Sequence, residues 1–192
     1  MSSRTSPVVV GFDFSRSGGA ALRRSVVLAA RAPFHVLHVV CAIHPRAPIP
    51  HITPYDGVDY LYAARVQEAL AAKMQRELDA VDVCERIHFF VHARIGKPAQ
   101  EILDLACSVG ADLIIVGSNG MTGIERVLLG SVSERVVREA GCTVEVVRPK
   151  RYSEVELIAI EEVEPCHTYL PPHRYTYEDH RANLRPAEWP LY

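Results

Sequence analysis

The chain lacks a strong net charge, a block of basic residues and a long hydrophobic run, and each absence excludes a class of protein. Its 192 residues carry a formal net charge of −2, which gives no electrostatic case for binding nucleic acid. No apolar run approaches the roughly 20 residues of a membrane-spanning helix, so we expect no membrane insertion. Hydrophobic residues nevertheless make up 48% of the chain, which is ample for a packed core.

Cysteine is equally sparse, and its spacing is irregular. The five cysteines are an odd number, and no two of them form a Cys-x-x-Cys pair. Such a pattern is typical of reduced, mostly buried thiols in the cytoplasm. Residues 1–7 are polar and lead directly into a predicted strand, without the hydrophobic core of a signal peptide. We therefore expect a cytoplasmic protein.

Common signatures of catalysis and metal binding are also missing. The sequence contains neither the GxxxxGK[ST] motif of a Walker P-loop nor the nucleophile elbow of a serine hydrolase. Cys166, His167, His173 and His180 could in principle gather a zinc ion, but their spacing fits no common zinc module. From the sequence we assign no catalytic residue and no metal site, and we interpret the scattered histidines as ordinary surface residues.

Strand and helix patterns alternate along the first 150 residues. The predicted strands are residues 8–12, 35–42, 87–92, 113–116 and 143–147. The predicted helices are residues 15–31, with Ser15 as the N-cap, 59–81, 98–109 and 131–140. Five strands separated by four helices predict an α/β fold with a doubly wound parallel sheet.

The most informative motif follows the fourth predicted strand. Gly117 and Gly120 come directly after that strand, and Gly130 and Ser131 open the next helix. Glycine allows positive φ and a close approach of the backbone to a ligand. A helix N-terminus adds unpaired N–H groups and a partial positive charge, which suit an anion. The motif therefore indicates a phosphate cradle, although glycines that only shape a strand-to-helix turn would leave the same pattern.

This region resembles the universal stress protein (UspA) family. The ATP-binding members of that family carry G-x2-G-x9-G-[ST], and the chain matches it with Gly117, Gly120, Gly130 and Ser131. The resemblance extends over residues 6–149. It includes residues 8–15 as the first strand and its acidic turn, 36–40 as the second strand, and 96–102 as the turn and helix start before the fourth strand.

The resemblance implies a Rossmann-like five-stranded sheet of order 3-2-1-4-5. Strands 1 and 4 are then neighbours at the topological switch point, where ligands bind beyond the carboxyl ends of the strands. It implies ATP as the ligand and leaves an accompanying Mg²⁺ ion open. The residues that it assigns to nucleotide binding are Phe12, Asp13, Phe14, Val39, Val116, Gly117, Gly120, Gly130, Ser131, Val132 and Ser133.

Individual roles follow from the same resemblance. The four motif residues would hold the phosphates and the ribose, with backbone N–H groups and serine hydroxyls of residues 131–133 as donors. Asp13 would lie near the ribose and adenine, with a phenylalanine on each side, and Val39 and Val116 would flank the adenine. Two plainer interpretations stay open: Asp13 could simply cap the first helix, and the valines could be ordinary sheet core.

Four positions depart from the family pattern, among them Thr143, which replaces a frequent proline. Asn119 and Met121 stand where basic residues are frequent, which removes positive charge near the expected phosphates. Lys97 and Arg126 are candidates to compensate, but the sequence cannot place them. Glu145 lies in the fifth strand, where burial would be costly, so we expect it to face solvent or a subunit contact.

The leading hypothesis is a homodimeric, adenine-nucleotide-binding regulatory or stress-response protein without efficient turnover. The resemblance implies dimerisation through the fifth strand, Thr143–Val147, whose open edge would otherwise be a liability. One alternative is a slow ATPase or nucleotidyl-transfer enzyme, for which Asp13 is the candidate base. Another alternative is an interaction protein that binds no nucleotide. A protein partner cannot be named.

Residues 151–192 have no counterpart in the family as we know it. Residues 154–163 alternate like a strand, and several prolines then exclude long helices. Five of the eight tyrosines and the only tryptophan lie in this segment, which argues against a solvated tail. We therefore predict a nucleotide-binding domain over residues 1–150 and an extended arm over 151–192. The arm would clasp the partner subunit or cover the nucleotide.

Overall fold

A computed structural model describes residues 5–32, 35–49, 51–53, 57–80, 87–120 and 129–149. Within these ranges, strands and helices alternate. The elements are β1 Ser6–Gly11, α1 Arg16–Arg31, β2 His35–Ile43, α2 Tyr60–Asp79, β3 His88–Ile95, α3 Pro98–Val109, β4 Leu113–Gly117, α4 Ser131–Glu139 and β5 Thr143–Val147. The predicted arm, Met121, Arg126 and the four residues of the possible zinc cluster lie outside the described residues.

The five strands form one parallel sheet of order β3-β2-β1-β4-β5. This order confirms the predicted topology and the doubly wound α/β fold. β1 lies at the centre, where Val9 pairs with His38 of β2 on one side and with Ile114 of β4 on the other. β1 and β4 are therefore adjacent, as a switch point requires.

Helices cover both faces of the central strands β1 and β4, which are therefore apolar on both sides. Val8, Val10 and Val39 belong to the core under α1 and α2. Val9 and Val40 belong to the core under α3 and α4. Successive side chains of a strand point to opposite faces, which explains why neighbouring valines enter different cores.

The helices begin in different ways. The Ser15 hydroxyl accepts a hydrogen bond from the Gly18 N–H (3.0 Å), which confirms Ser15 as the N-cap of α1. The Asp59 carboxylate caps α2 by accepting from the Tyr62 N–H (2.8 Å). α4 begins after Gly130 without any side-chain cap, which leaves the N–H groups of its first turn available to a ligand.

β5 is tied to α1 by an ion pair. The Arg24 Nε donates to Glu145 Oε1 over 2.5 Å, and this carboxylate raises the pKa of Arg24. The Glu145 side chain is 33% exposed. Glu145 therefore avoids the core, as expected, and pairs with Arg24 at the surface.

The three cysteines among the described residues differ in burial. Cys41 is buried, Cys142 partly buried and Cys107 exposed, and all three are free thiols. Burial, with a smaller effect of Asp13, raises the pKa of Cys41 to about 12, so this thiol stays protonated near neutral pH.

In the part of the chain that the structure describes, no helix has both the length and the apolar sequence needed to cross a membrane.

Gly117 packs against the backbone at the start of α1. A Cβ at this position would lie 2.6 Å from the Ser17 carbonyl carbon and 2.8 Å from the Gly18 nitrogen. These atoms belong to a helix turn, which cannot move aside as a flexible side chain would. Glycine is therefore required here for close packing of β4 on α1.

We expect Gly117→Ala to destabilise the protein by about 1–3 kcal/mol, because overpacking against backbone must displace α1 or β4. Urea unfolding followed by circular dichroism measures this change. Gly141→Ala is the matched control, since a Cβ there meets no heavy atom within 4 Å. Equal stability of the two variants would contradict the packing argument.

Candidate functional site

A crevice of about 250 Å³ lies at the carboxyl ends of β1 and β4. It forms because the chain leaves β1 towards α1 on one face of the sheet and leaves β4 towards α4 on the other. The described residues that line the crevice are Gly11, Phe12, Asp13, Gly18, Val40, Ala42, His44, Ala47, Ile49, Pro98, Ile102, Val116, Gly117, Asn119, Gly120, Gly130, Ser131, Val132 and Ser133.

Three helices start at the crevice. α1 contributes Gly18, α3 contributes Pro98, and α4 contributes residues 131–133. Each helix start carries a partial positive charge. The Gly18 N–H is already bonded to the Ser15 hydroxyl and Pro98 has no N–H, whereas α4 begins without a side-chain cap and keeps the N–H groups of its first turn for a ligand. None of the described lining residues is a lysine or arginine, and Lys97 is exposed outside the lining. Attraction for an anion therefore comes from the backbone of these helices.

The glycine loop is held together by the Ser118 carbonyl. This oxygen accepts from the Gly130 N–H (2.7 Å) and from the Ser133 hydroxyl (3.0 Å). The same buried hydroxyl also lies 2.9 Å from the Gly130 carbonyl. The Ser133 side chain therefore fixes the loop to the start of α4, and the exposed Ser131 is the better placed of the two serines for a ligand.

The motif glycines leave space for neighbouring atoms to approach the backbone closely, and their own backbone angles are ordinary. None of Gly117, Gly120 and Gly130 has a positive φ, so the expectation of positive φ in this loop is wrong for these residues. A Cβ at Gly120 would lie 3.1 Å from Asp13 Oδ2, and a Cβ at Gly130 would make ordinary contacts of 3.4 Å with the loop. Only Gly117 has backbone in the space that a side chain would need.

Asp13 lies between the start of α1 and the glycine loop. Its Oδ1 accepts from the Ser15 N–H (3.0 Å), while its Oδ2 faces Gly120. The Ser17 hydroxyl also links the two segments by donating to the Asn119 carbonyl. Asp13 thus supports the turn into α1 and lines the crevice, while Ser15 and not Asp13 caps the helix.

The other end of the crevice is apolar. Val40 and Ala42 of β2 lie there with Ile49 of the following loop. Tyr62 of α2 holds this loop in place, since its hydroxyl accepts from the Ile49 N–H (2.8 Å) and donates to the Ile52 carbonyl (2.8 Å). The crevice therefore has a polar end at the glycine loop and an apolar end at β2.

Nine of the predicted site residues line the crevice: Phe12, Asp13, Val116, Gly117, Gly120, Gly130, Ser131, Val132 and Ser133. Phe14 and Val39 are not among the lining residues. Phe14 packs edge to face on Phe12 (4.8 Å between ring centroids) and has φ 62°. The Val39 side chain is fully buried under α1 and α2, so any contact of Val39 with a ligand would have to come from its backbone.

The sequence interpretation missed most of the apolar end. The alternation of side chains along β2 could have identified Val40 and Ala42, because Val40 shares a face with Val116. It could not have identified Ile49, whose position depends on Tyr62, thirteen residues further along the chain.

Comparisons with known proteins agree on one family. The Universal stress protein family model matches residues 5–148. A universal stress protein of Methanocaldococcus jannaschii is 34% identical over 149 residues, which cover 75% of this chain and 83% of that protein.

Solved structures of the same family share the fold. The universal stress protein UspA from Lactobacillus plantarum is 27% identical with a TM-score of 0.60, covering 76% of this chain and 99% of that one. A universal stress protein solved in complex with cAMP is also 27% identical, with a TM-score of 0.55, covering 76% of this chain and 98% of that one.

Proposed function

The chain belongs to the universal stress protein family, and on that premise we propose that it binds ATP or a related adenine nucleotide in the crevice. The observation that carries this proposal is the pairing of an apolar end with an uncapped helix start behind a glycine loop. A nucleotide has the same division, with a flat base at one end and phosphates at the other.

The phosphates would lie at the polar end. The N–H groups of Ser131, Val132 and Ser133 begin α4 without a side-chain cap, and an anion there gains from the helix dipole. Gly120 and Gly130 leave room for the phosphates to approach the backbone closely. Ser131, being exposed, could add a hydroxyl donor.

The base would lie at the apolar end, between Val40 and Ala42 on one side and Val116 and Ile102 on the other. The relative solved with cAMP supports an adenine nucleotide as the class of ligand. The four-residue glycine motif supports ATP within that class. Val39 would contact the ligand only through its backbone. Phe14 would act only by packing against Phe12.

Asp13 would accept a hydrogen bond from a ribose hydroxyl, because it stands between the two ends of the crevice. It is also the only carboxylate among the described lining residues. A Mg²⁺ ion accompanying ATP would therefore take most of its ligands from phosphate and water, which is how this ion commonly binds with nucleotides.

The proposed role is regulatory: nucleotide occupancy would set the state of a cytoplasmic homodimer during stress. β5 is the last strand of the sheet, and pairing with a second copy would cover its outer edge. Residues 151–192 follow this strand and are proposed to clasp the partner subunit.

The nucleotide site is tested by isothermal titration calorimetry with ATP and cAMP. We expect Gly120→Val and Gly130→Val to lose binding at least tenfold, because methyl groups would occupy the path of the phosphates. A Cβ at either position meets no backbone atom closer than 3.4 Å, and circular dichroism checks that the valine variants remain folded. Gly141→Val is the matched control, and unchanged affinity in both crevice variants would refute the proposed site.

The alternative of slow ATP hydrolysis rests on Asp13 as a candidate base. One of its oxygens is engaged by the Ser15 N–H, and the other titratable side chain among the described lining residues, His44, accepts at Nδ1 from the Arg46 N–H (3.1 Å). We expect no turnover above background when phosphate release is measured on purified protein. Hydrolysis that Asp13→Asn abolishes while ATP still binds would establish the enzyme instead.

The homodimer is tested by sedimentation velocity on the full chain and on a chain ending at Lys150. If β5 pairs and residues 151–192 clasp the partner, the full chain should be dimeric. The shorter chain should form a weaker dimer, which dissociates at a higher protein concentration. A full chain that stays monomeric at high micromolar concentration would contradict the proposed assembly.

A further inference from the structure

Two histidines that are not among the lining residues of the crevice meet across neighbouring strands of the sheet. His38 lies on β2 and His92 on β3, and His38 Nδ1 is 3.2 Å from His92 Nε2. Their rings are nearly parallel, with centroids 5.4 Å apart and an interplanar angle of 20°. Two imidazole nitrogens therefore face each other across the strand pair.

The pair lies at an open flank of the sheet. β3 is an edge strand, and Phe90 of β3 stacks on the His38 ring (5.0 Å) while remaining 56% exposed. His38 and His92 are themselves only partly buried. Solvent and small ions can therefore reach the two imidazoles, which Phe90 holds in place from one side.

The separation of the two nitrogens matches the spacing of two metal ligands. Zinc binds imidazole nitrogen at about 2.0–2.1 Å, so two ligands at a tetrahedral angle stand roughly 3.3 Å apart. In the metal-free pair, one nitrogen donates its proton to the other. If the protons move to His38 Nε2 and His92 Nδ1, the two facing lone pairs can bind one ion without net proton release from the neutral rings.

We propose that His38 and His92 form an open two-histidine site for a divalent transition metal ion, Zn²⁺ or Cu²⁺. Imidazole suits both ions, and a site of this kind binds Cu²⁺ more tightly than Zn²⁺. Among the described residues, no group of three or more histidine, cysteine or acidic side chains is placed to hold a metal. Two histidines leave the other coordination positions of the ion to water or an exogenous ligand.

Burial and neighbouring charged side chains affect the two histidines. Burial lowers the pKa of both histidines, and for His92 the neighbouring His38 and Arg94 lower the pKa further. Arg94 opposes a second cation, but its guanidinium lies 4.0 Å from the Glu101 carboxylate, which offsets part of that charge.

The test titrates Cu²⁺ alone into the untagged, nucleotide-free full chain, using calorimetry and electron paramagnetic resonance. We expect one tight ion per chain, with hyperfine splitting from two nitrogens. His38→Phe and His92→Phe should each weaken binding at least about tenfold, since loss of even an outer-shell partner costs that much. Each should also remove the two-nitrogen signal.

His88→Asn is the matched control, because His88 is an exposed histidine on the same strand. It should keep the wild-type affinity and spectrum. Circular dichroism checks that each variant is folded, and His92→Phe, at the sheet edge, suffices if His38→Phe unfolds. No binding by the wild-type chain, or an unchanged affinity and spectrum in folded His92→Phe, would overturn the proposal.

Discussion

The close approach of Gly117 to the backbone of Ser17 and Gly18 is the contact on which the crevice depends. It brings the end of β4 against the first turn of α1, directly beside the point where the chain turns away towards α4. The hydrogen bond from the Ser17 hydroxyl to the Asn119 carbonyl adds to this contact. A side chain at Gly117 would force β4 and α1 apart, and the two walls of the crevice would separate with them.

The chemistry of the site follows from that arrangement. The described lining contains no lysine or arginine, so its attraction for anions comes from helix starts that a parallel sheet places at one edge. Such donors are fixed by the fold and need no ordering when a ligand binds. The Ser118 carbonyl, which receives both the Gly130 N–H and the Ser133 hydroxyl, keeps the glycine loop aligned with α4.

Sequence patterns predicted the fold well because the central strands β1 and β4 are buried on both faces and therefore appear as uninterrupted apolar runs. The glycine loop was predicted from the spacing of its glycines ahead of a helix, and Asp13 from the family resemblance and the strand order that it implies. The resemblance also assigned Val39 to the site, whereas Val40, on the opposite face of β2, lines the crevice. Contacts between distant segments, such as Arg24 with Glu145 or His38 with His92, depend on strand register and helix placement, which sequence periodicity does not specify.

The central claim is that phosphates bind at the start of α4 while a base occupies the β2 end of the crevice. Backbone amide chemical shifts of the labelled protein, titrated separately with ATP and with adenosine, test it most directly. The account predicts that Ser131, Val132 and Ser133 shift with ATP but not with adenosine, whereas Val40 and Ala42 shift with both. Saturating ATP that leaves the amides of residues 131–133 unchanged would contradict it.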